Sequence, residues 1–461
     1  MLAPIEQLTI EELVSKQRRF FRTQATKSLA FRLSMLTFLK ESIKYHETEI
    51  IEALAEDLNK SELDAFTTEI GFVYDEITRT TRELKRWMRP KRVSGTAIHL
   101  GTKSEIRYEP YGTVLVIAPW NYPFQLAMAP LIGAIAAGNT AVVKPSELTP
   151  HVAQMITKVL ERAFTDRYVV SVEGDKDVAA ALLAEKWDHI FFTGSTPVGK
   201  IVMEAAAKHL TPVTLELGGK SPAIVHEDAD IDIAAKRIAW GKWMNAGQTC
   251  VAPDYVLVHE SKRDIFLEAI KREAFTMFGN GVGTKRFTRI VNETHFDRLT
   301  KYLNDGNVFF GGQVDREQLK ISPTVLTDVN ENASVMKDEI FGPILPVLTY
   351  RELEEVIDFV SSRPHPLALY LFTESKDVER VVMKHLTFGG GCVNDVLMHL
   401  TNPNLPFGGV GESGMGSYHG RYSFETFSHK KSILRNTTRF DLPVRYPNFK
   451  GAEKLIRLIY R

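Results

Sequence analysis

Apolar side chains at Leu29, Leu33, Leu36 and Leu39 fall at helical spacing, and Ile50, Leu54 and Leu58 repeat the interval, so residues 11–85 read as an α-rich opening. Around residues 90–112 the pattern changes to short alternating runs split by Gly and Pro, which predicts extended ribbons or a bridging hairpin. A strand and helix rhythm follows. Thr113–Ala118 is a β-branched strand, Phe124–Ala137 an apolar helix closed by Gly138-Asn139, and Thr140–Lys144 a second strand. Then come a helix near 150–163, a strand Tyr168–Val172, a helix near 175–185, and a strand His189–Thr193 that runs into Gly194. Apolar strands alternating with helices imply a parallel sheet covered on both faces. From Thr214 a second alternating region, with TLELGGKSPAIVH, YVLVHE, ILPVLTY and ALYLFTE, predicts a second α/β domain. Ser428 to Phe440 is polar and strand-capable and is expected to pair with the earlier ribbon.

Pro110 through Val143 is a stretch of 34 residues without Asp, Glu, Lys or Arg, long enough to cross a bilayer. Pro119, Asn121, Pro123, Pro130, Gly138 and Asn139 interrupt it, and a spanning helix cannot leave so many backbone groups unpaired in lipid. The stretch therefore reads as buried core. The 461 residues carry 57 basic and 57 acidic side chains, so no excess positive charge is available for nucleic acid or an anionic membrane. With 44% hydrophobic residues, the composition excludes disordered and fibrous classes. Two cysteines, Cys250 and Cys392, make neither a disulfide scaffold nor a cysteine-rich zinc site. Acidic residues in the first twenty positions break the apolar run that a signal peptide needs, so a cytoplasmic protein is expected.

Several residues are placed to carry chemistry. FTGSTPVGK, Phe192 to Lys200, opens a predicted helix after a strand, where backbone N–H groups and the helix dipole favour a phosphate, although such turns also arise for structural reasons alone. Lys144-Pro145-Ser146-Glu147 adds a cation and an acid at a strand end, where open α/β sheets bind ligands. Cys250 sits in NAGQTC and reads either as a buried structural thiol or as a nucleophile. Glu216 is flanked by apolar residues, so it is either a desolvated general base or one half of an ion pair with a nearby Lys. Asn121 either donates to a developing oxyanion or caps a turn beside Pro123, and Glu339 is open to both a binding role and a surface one. The 13 histidines show no metal-ligand spacing, so no metal site is expected.

Taken together, PWNYPFQL (119–126), KPSE (144–147), FTGSTPVGK (192–200), LELGGKSP (215–222), NAGQTC (245–250), EIFGP (339–343) and LPFGGVGESGMGSYHG (405–420) resemble the aldehyde dehydrogenase superfamily in order and interval. NAGQTCVAPDY and VNDVLMH (393–399) most resemble its class 3, dimeric type. The resemblance implies an α/β fold in which a Rossmann-type parallel-sheet NAD-binding domain (1–85 and 106–213) joins an α/β catalytic domain (214–427). It further implies a small β oligomerisation ribbon (86–105 and 428–440) and a C-terminal tail (441–461). By the same resemblance Cys250 is the nucleophile, Glu216 the general base, and Asn121 with the Cys250 N–H the oxyanion hole. Lys144 and Glu147 are assigned to the adenosine ribose, Gly194, Ser195 and Gly199 to the region near the pyrophosphate with Leu217 beside them, and Glu339 to the nicotinamide ribose. Phe341 and Phe407 would shape the nicotinamide pocket, and Tyr122 with Phe407 the substrate side. Glu147 would accept from a ribose 2′-hydroxyl and repel a 2′-phosphate, which favours NAD and leaves NADP as the alternative. EIFGP is preceded by Asp338 where Glu is common, a change that leaves the site intact. The implied partner is a small aldehyde, medium-chain or aromatic if Tyr74, Trp120, Tyr122 and Trp240 line its path, within a homodimer without an integral membrane segment. Acylating relatives that pass the thioester to coenzyme A or phosphate, and a silent binding or structural scaffold, are the competing readings; Glu216 argues against the first, and Cys250, Glu216 and Asn121 together against the second.

Overall fold

The computed structural model describes residues 9–284, 287–446, 448–451, 453, 454 and 457, so part of the expected tail 441–461 lies outside the described residues. Three larger sheets organise the described residues, beside a two-stranded pair of Val314–Asp315 with Lys320–Ile321. The first runs in the spatial order Gly414–Met415, Val213–Glu216, His189–Thr193, Thr113–Ile117, Thr140–Lys144, Val169–Ser171. All neighbours are parallel except Gly414–Met415, which pairs antiparallel with Glu216 and Leu215. Val213–Glu216, at the start of the second predicted region, is thus hydrogen-bonded into the first sheet. The order reverses between Thr113–Ile117 and His189–Thr193, and a sheet of this type opens its ligand crevice beyond the strand ends at that point.

Alternation along the central strands explains why both faces are covered. Val114, Val116, Ala141 and Val143 belong to one apolar cluster with the helix Gln125–Ala137, while Leu115, Ile117, Val142, Ile190 and Phe192 pack on the other side with Leu13 and Val14 of the helix Ile10–Arg22. The uncharged stretch is core: every residue of Gln125–Ala137 is buried, and Gly138 ends the helix at φ 93°, a left-handed value that glycine accepts without strain. Among the described residues no helix is long and apolar enough to cross a membrane. The opening is helical as the spacing predicts, but Phe66–Ile70 forms a π-helical turn between Glu62–Ala65 and Gly71–Trp87.

The second sheet runs Asn307–Phe310, Thr324–Thr327, Ile344–Tyr350, Tyr255–His259, Pro222–Val225, Ala368–Phe372, Gly390–Val393, parallel except for its first pair. In the third sheet Ser428–Asn436 pairs antiparallel with Thr102–Pro110 over its whole length, and Lys91–Val93 adds an edge. The segment at 420–427 leads into that ribbon and packs on the central helix at Gly133, where a Cβ would lie 2.7 Å from Cβ of Ser423 and 3.1 Å from the Phe427 ring. Gly133→Val is expected to overpack this contact and destabilise the fold by about 1–3 kcal/mol, read as a lowered urea midpoint; an unchanged midpoint would show that the contact is slack.

Candidate active site

The helix Ile231–Trp243 ends in a turn in which Asn245 (φ 53°), Ala246 (φ 52°) and Gly247 (φ 73°) are all left-handed, a costly conformation for the first two. Only glycine fits at 247, because a Cβ would stand 2.2 Å from the Gly342 carbonyl oxygen. Gln248, fully buried, holds the turn: its amide donates to the carbonyls of Asn245 (3.1 Å) and Arg289 (3.0 Å) and accepts from Val291 N–H (3.1 Å). Cys250 follows, partly exposed, on a cavity of about 1210 Å³ walled by Phe66, Phe72, Tyr122, Trp240, Phe278 and Phe407. Burial, then the charges of Glu339 and Glu216, push the Cys250 thiol up; the backbone N–H groups of Cys250 and Val251 pull it down.

Glu216 ends the strand Val213–Glu216 and is 2% exposed, yet neither carboxyl oxygen has a hydrogen-bond partner among the described residues. Burial raises it well above the usual carboxylate range. The ion-pair reading does not hold, since the neighbouring Lys220 donates instead to Asp254 (2.5 Å), the Val335 carbonyl (2.8 Å) and the Asp338 carbonyl (3.0 Å). Asp254 also accepts from Ile340 N–H (2.9 Å), so this pair grips the chain on both sides of Glu339. The Glu339 carboxyl presses on Gly218, where a Cβ would lie 1.8 Å from it. It too is raised well above normal, by burial and then by Asp254, against Lys220, the Gly219 N–H and Lys242. Lys242 is fully buried, its ammonium has no partner among the described residues, and burial lowers it to about 8.

Asn121 lies just beyond the strand Thr113–Ile117, at the switch point, and is 3% exposed. Its amide nitrogen donates to the Gln248 carbonyl (3.1 Å), two residues before Cys250. Its own carbonyl accepts from Asn245 Nδ2 (3.0 Å) and from Lys60 Nζ (3.0 Å). The beside-proline turn is present, but the amide points into the cysteine loop. Tyr122 bonds through its hydroxyl to Thr249 (2.7 Å), and Phe407 stacks on His419 (5.2 Å, 12°). Of the four aromatics singled out by sequence, Tyr122 and Trp240 line the cavity. Tyr74 bonds to Glu47 (2.6 Å), and Trp120 packs edge-on against Phe341 (5.3 Å, 82°), whose φ is 50°. Phe66 and Phe72, on the cavity wall, were not distinguishable from ordinary helical core residues in the sequence.

The remaining residues gather at the strand ends of the first sheet. Gly194 donates to the Glu216 carbonyl (3.0 Å), which ties the phosphate-type turn to the acid. Ser195 is exposed and precedes a helix, Thr196–Ala207, that has no side-chain cap; Pro197 has no N–H, so the N–H groups of Thr196 and Val198 are those its first turn offers to an anion. Gly199 lies against Leu217, which a Cβ would approach to 2.6 Å. Lys144 Nζ meets Glu147 at 2.6 Å, the lysine buried and the acid 43% exposed. The hydroxyls of Thr193 and Ser171, at the ends of two strands separated by Thr113–Ile117 and Thr140–Lys144, are buried without partners among the described residues. Free helix N–H groups, orphaned hydroxyls, close-packed glycines and a lysine–acid pair fit a dinucleotide laid across this edge. Among the described residues no group of three or more His, Cys, Asp or Glu is arranged to hold a metal ion.

The sequence matches the profile of the aldehyde dehydrogenase family over residues 3–433. It is 49% identical over 455 residues to the 4,4'-diaponeurosporen-aldehyde dehydrogenase of Staphylococcus aureus (strain NCTC 8325 / PS 47), covering 98% of this chain and 99% of that one. It is 45% identical over 454 residues to aldehyde dehydrogenase family 3 member H1 of Arabidopsis thaliana, covering 97% and 94%. The solved substrate-bound state of Staphylococcus aureus AldH superposes with a TM-score of 0.96 at 49% identity, covering 99% of this chain and 100% of that one. The chain belongs to the aldehyde dehydrogenase family, whose members oxidise aldehydes with NAD(P).

Proposed function

We propose that this enzyme oxidises an apolar aldehyde to a carboxylic acid through Cys250, Glu216 and Asn121, and that water, not coenzyme A, accepts the acyl group. The observation that carries the reading is a buried, unpartnered carboxyl, Glu216, within electrostatic reach of a partly exposed thiol, Cys250, at the wall of an aromatic cavity. The partly exposed Cys250 thiol gives its proton to solvent, its sulfur adds to the carbonyl carbon, and the electron pair of the C=O bond moves to oxygen. The Asn121 amide has two N–H groups; one is spent on Gln248, and the other, with the Cys250 N–H, is free for that oxyanion. NAD(P), when bound, supplies the hydride acceptor. Loss of hydride leaves a thioester on Cys250. Glu216 then takes a proton from water, the hydroxide oxygen adds to the acyl carbon, and the C–S bond breaks to release the acid and restore the sulfur.

Lys144 and Glu147 are assigned to the adenosine ribose, Gly194, Ser195, Gly199 and Leu217 to the pyrophosphate region, and Glu339 and Phe341 to the nicotinamide end. Tyr122 and Phe407 flank the aldehyde's apolar remainder. Residues 1–85 and 106–213 are assigned to the NAD-binding domain and 214–427 to the catalytic one, which lends the strands Val213–Glu216 and Gly414–Met415 to the first sheet. The ribbon (86–105 and 428–440) serves assembly of a homodimer, because among the described residues Ser428–Asn436 is paired on one side only and offers a nine-residue edge to a second copy. Two free thiols and zero net charge suit the cytoplasm.

Cys250→Ala is expected to abolish aldehyde oxidation while NAD binding, measured by fluorescence titration, persists; retained turnover would refute the nucleophile. Glu216→Gln is expected to form one equivalent of NADH and stall. Because Glu216 works only when deprotonated and burial holds it above the usual carboxylate range, thioester hydrolysis in the parent rises with pH across that raised window, and the variant loses this limb. For the cofactor, Glu147→Gln removes the acid that opposes a 2′-phosphate and is expected to raise the NADP-to-NAD ratio of kcat/KM roughly tenfold. An unchanged ratio would remove Glu147 from that role. Light scattering is expected to give twice the 52.0 kDa chain mass, and a monomer mass would overturn the dimer.

A further inference from the structure

The turn that carries Asn121 has no regular secondary structure between the strand Thr113–Ile117 and the helix Gln125–Ala137, so its position must come from side chains. Asn245 Nδ2 supplies one contact to the Asn121 carbonyl, at 3.0 Å, and a buried ion pair from the N-terminal helical segment supplies another. Lys60 Nζ meets Glu69 Oε1 at 2.5 Å and donates to the Asn121 carbonyl at 3.0 Å. Glu69 Oε2 accepts from the N–H groups of Phe124 (3.1 Å) and Gln125 (2.8 Å), at the start of a helix that has no other side-chain cap. Residues 121 and 124–125 are therefore held by two bonded side chains. Lys60 also sits 4.2 Å above the Tyr122 ring. Both charges are almost wholly enclosed, Lys60 at 4% and Glu69 at 0% exposure, with Asp64 as the further charge near Lys60. The π-helical turn Phe66–Ile70 contains Glu69; the extra residue in that turn rotates the helix face, and its neighbours Thr67 and Thr68 line the cavity. A buried pair contributes little net stability, since desolvation offsets its attraction, but it fixes geometry tightly.

We propose that Lys60 and Glu69 act as positioning residues for the reaction, setting the backbone of Asn121 and through it the direction of the amide toward Cys250. The proposal rests on the role given to Asn121 above. Lys60→Met and Asn121→Ala are compared singly and together in the full chain, following the first turnover of NADH, the KM for aldehyde and the Kd for NAD. Misplacing a donor by about 1 Å costs up to about 100-fold, so Lys60→Met is expected to slow the first turnover about 10- to 100-fold, with KM and Kd within about threefold of the parent. Asn121→Ala is expected to lose at least as much, and the double variant to be within about twofold of Asn121→Ala, because the pair acts through that amide. If the two losses instead multiply, or if Lys60→Met keeps the parent rate, the positioning role is overturned while that of Asn121 stands. An Asn121→Ala enzyme with undiminished rate overturns the reading of Asn121 itself. Should Lys60→Met not accumulate as folded protein, Lys60→Met/Glu69→Gln, which buries no lone charge, takes its place in the same comparison.

Discussion

The site depends on keeping one carboxyl, Glu216, buried and without a hydrogen-bond partner among the described residues. An unsatisfied buried polar group costs roughly 1–3 kcal/mol, a sizeable part of the roughly 5–15 kcal/mol by which a domain is stable. The chain holds the group by its backbone. Glu216 is the last residue of a strand, its carbonyl accepts from Gly194, and it is in register with Gly414 on the outer side. The same strand ends that fix the acid also present the phosphate-type turn, so one sheet edge serves both a base and a cofactor groove. An ion-pair partner would lower the carboxyl into the ordinary range and remove its capacity to take a proton near neutrality. The nearest lysine in sequence, Lys220, is committed to Asp254 and two carbonyls.

A second cost is conformational. Asn245 and Ala246 sit left-handed in the loop that leads to Cys250, and such strain persists only where the surroundings over-determine it. Here the surroundings are the Gln248 side chain with three backbone partners and the Gly247–Gly342 contact, which presses the cysteine loop against the EIFGP segment. Strain, close glycine packing and an enclosed amide together aim a sulfur at a cavity, which a relaxed loop would not do.

How legible this was in the sequence varies with the range of the interactions. The strands His189–Thr193 and Thr140–Lys144 and the helix near 150–163 are where the pattern places them, because burial on both faces writes a continuous apolar run. Cys250, Glu216 and Asn121 stood out through local motifs whose order resembled a family. Lys60 and Glu69 did not: a lysine and a glutamate nine residues apart in an amphipathic region look like solvated charges, and only the chain's return at Asn121 buries them. The π-helical turn was equally hidden, since one extra residue in a helix changes the face presented without altering composition. Phe66 and Phe72 share the spacing of core residues, and that they face a cavity follows from tertiary packing alone.

The two halves of the site are held by the same device. Lys60–Glu69 grips the turn bearing Asn121, and Lys220–Asp254 grips the segment bearing Glu339; in each, the lysine donates to a main-chain carbonyl and the carboxylate accepts from a main-chain N–H. A buried ion pair is a poor source of stability but a good source of direction, because charge-assisted hydrogen bonds are short and tolerate little displacement. Loops positioned this way need no regular secondary structure, which leaves their remaining donors free for chemistry. Paired lysines hold the backbone of this site, whereas the carboxyl of Glu216 has no hydrogen-bond partner among the described residues, and that difference separates framework from reacting group.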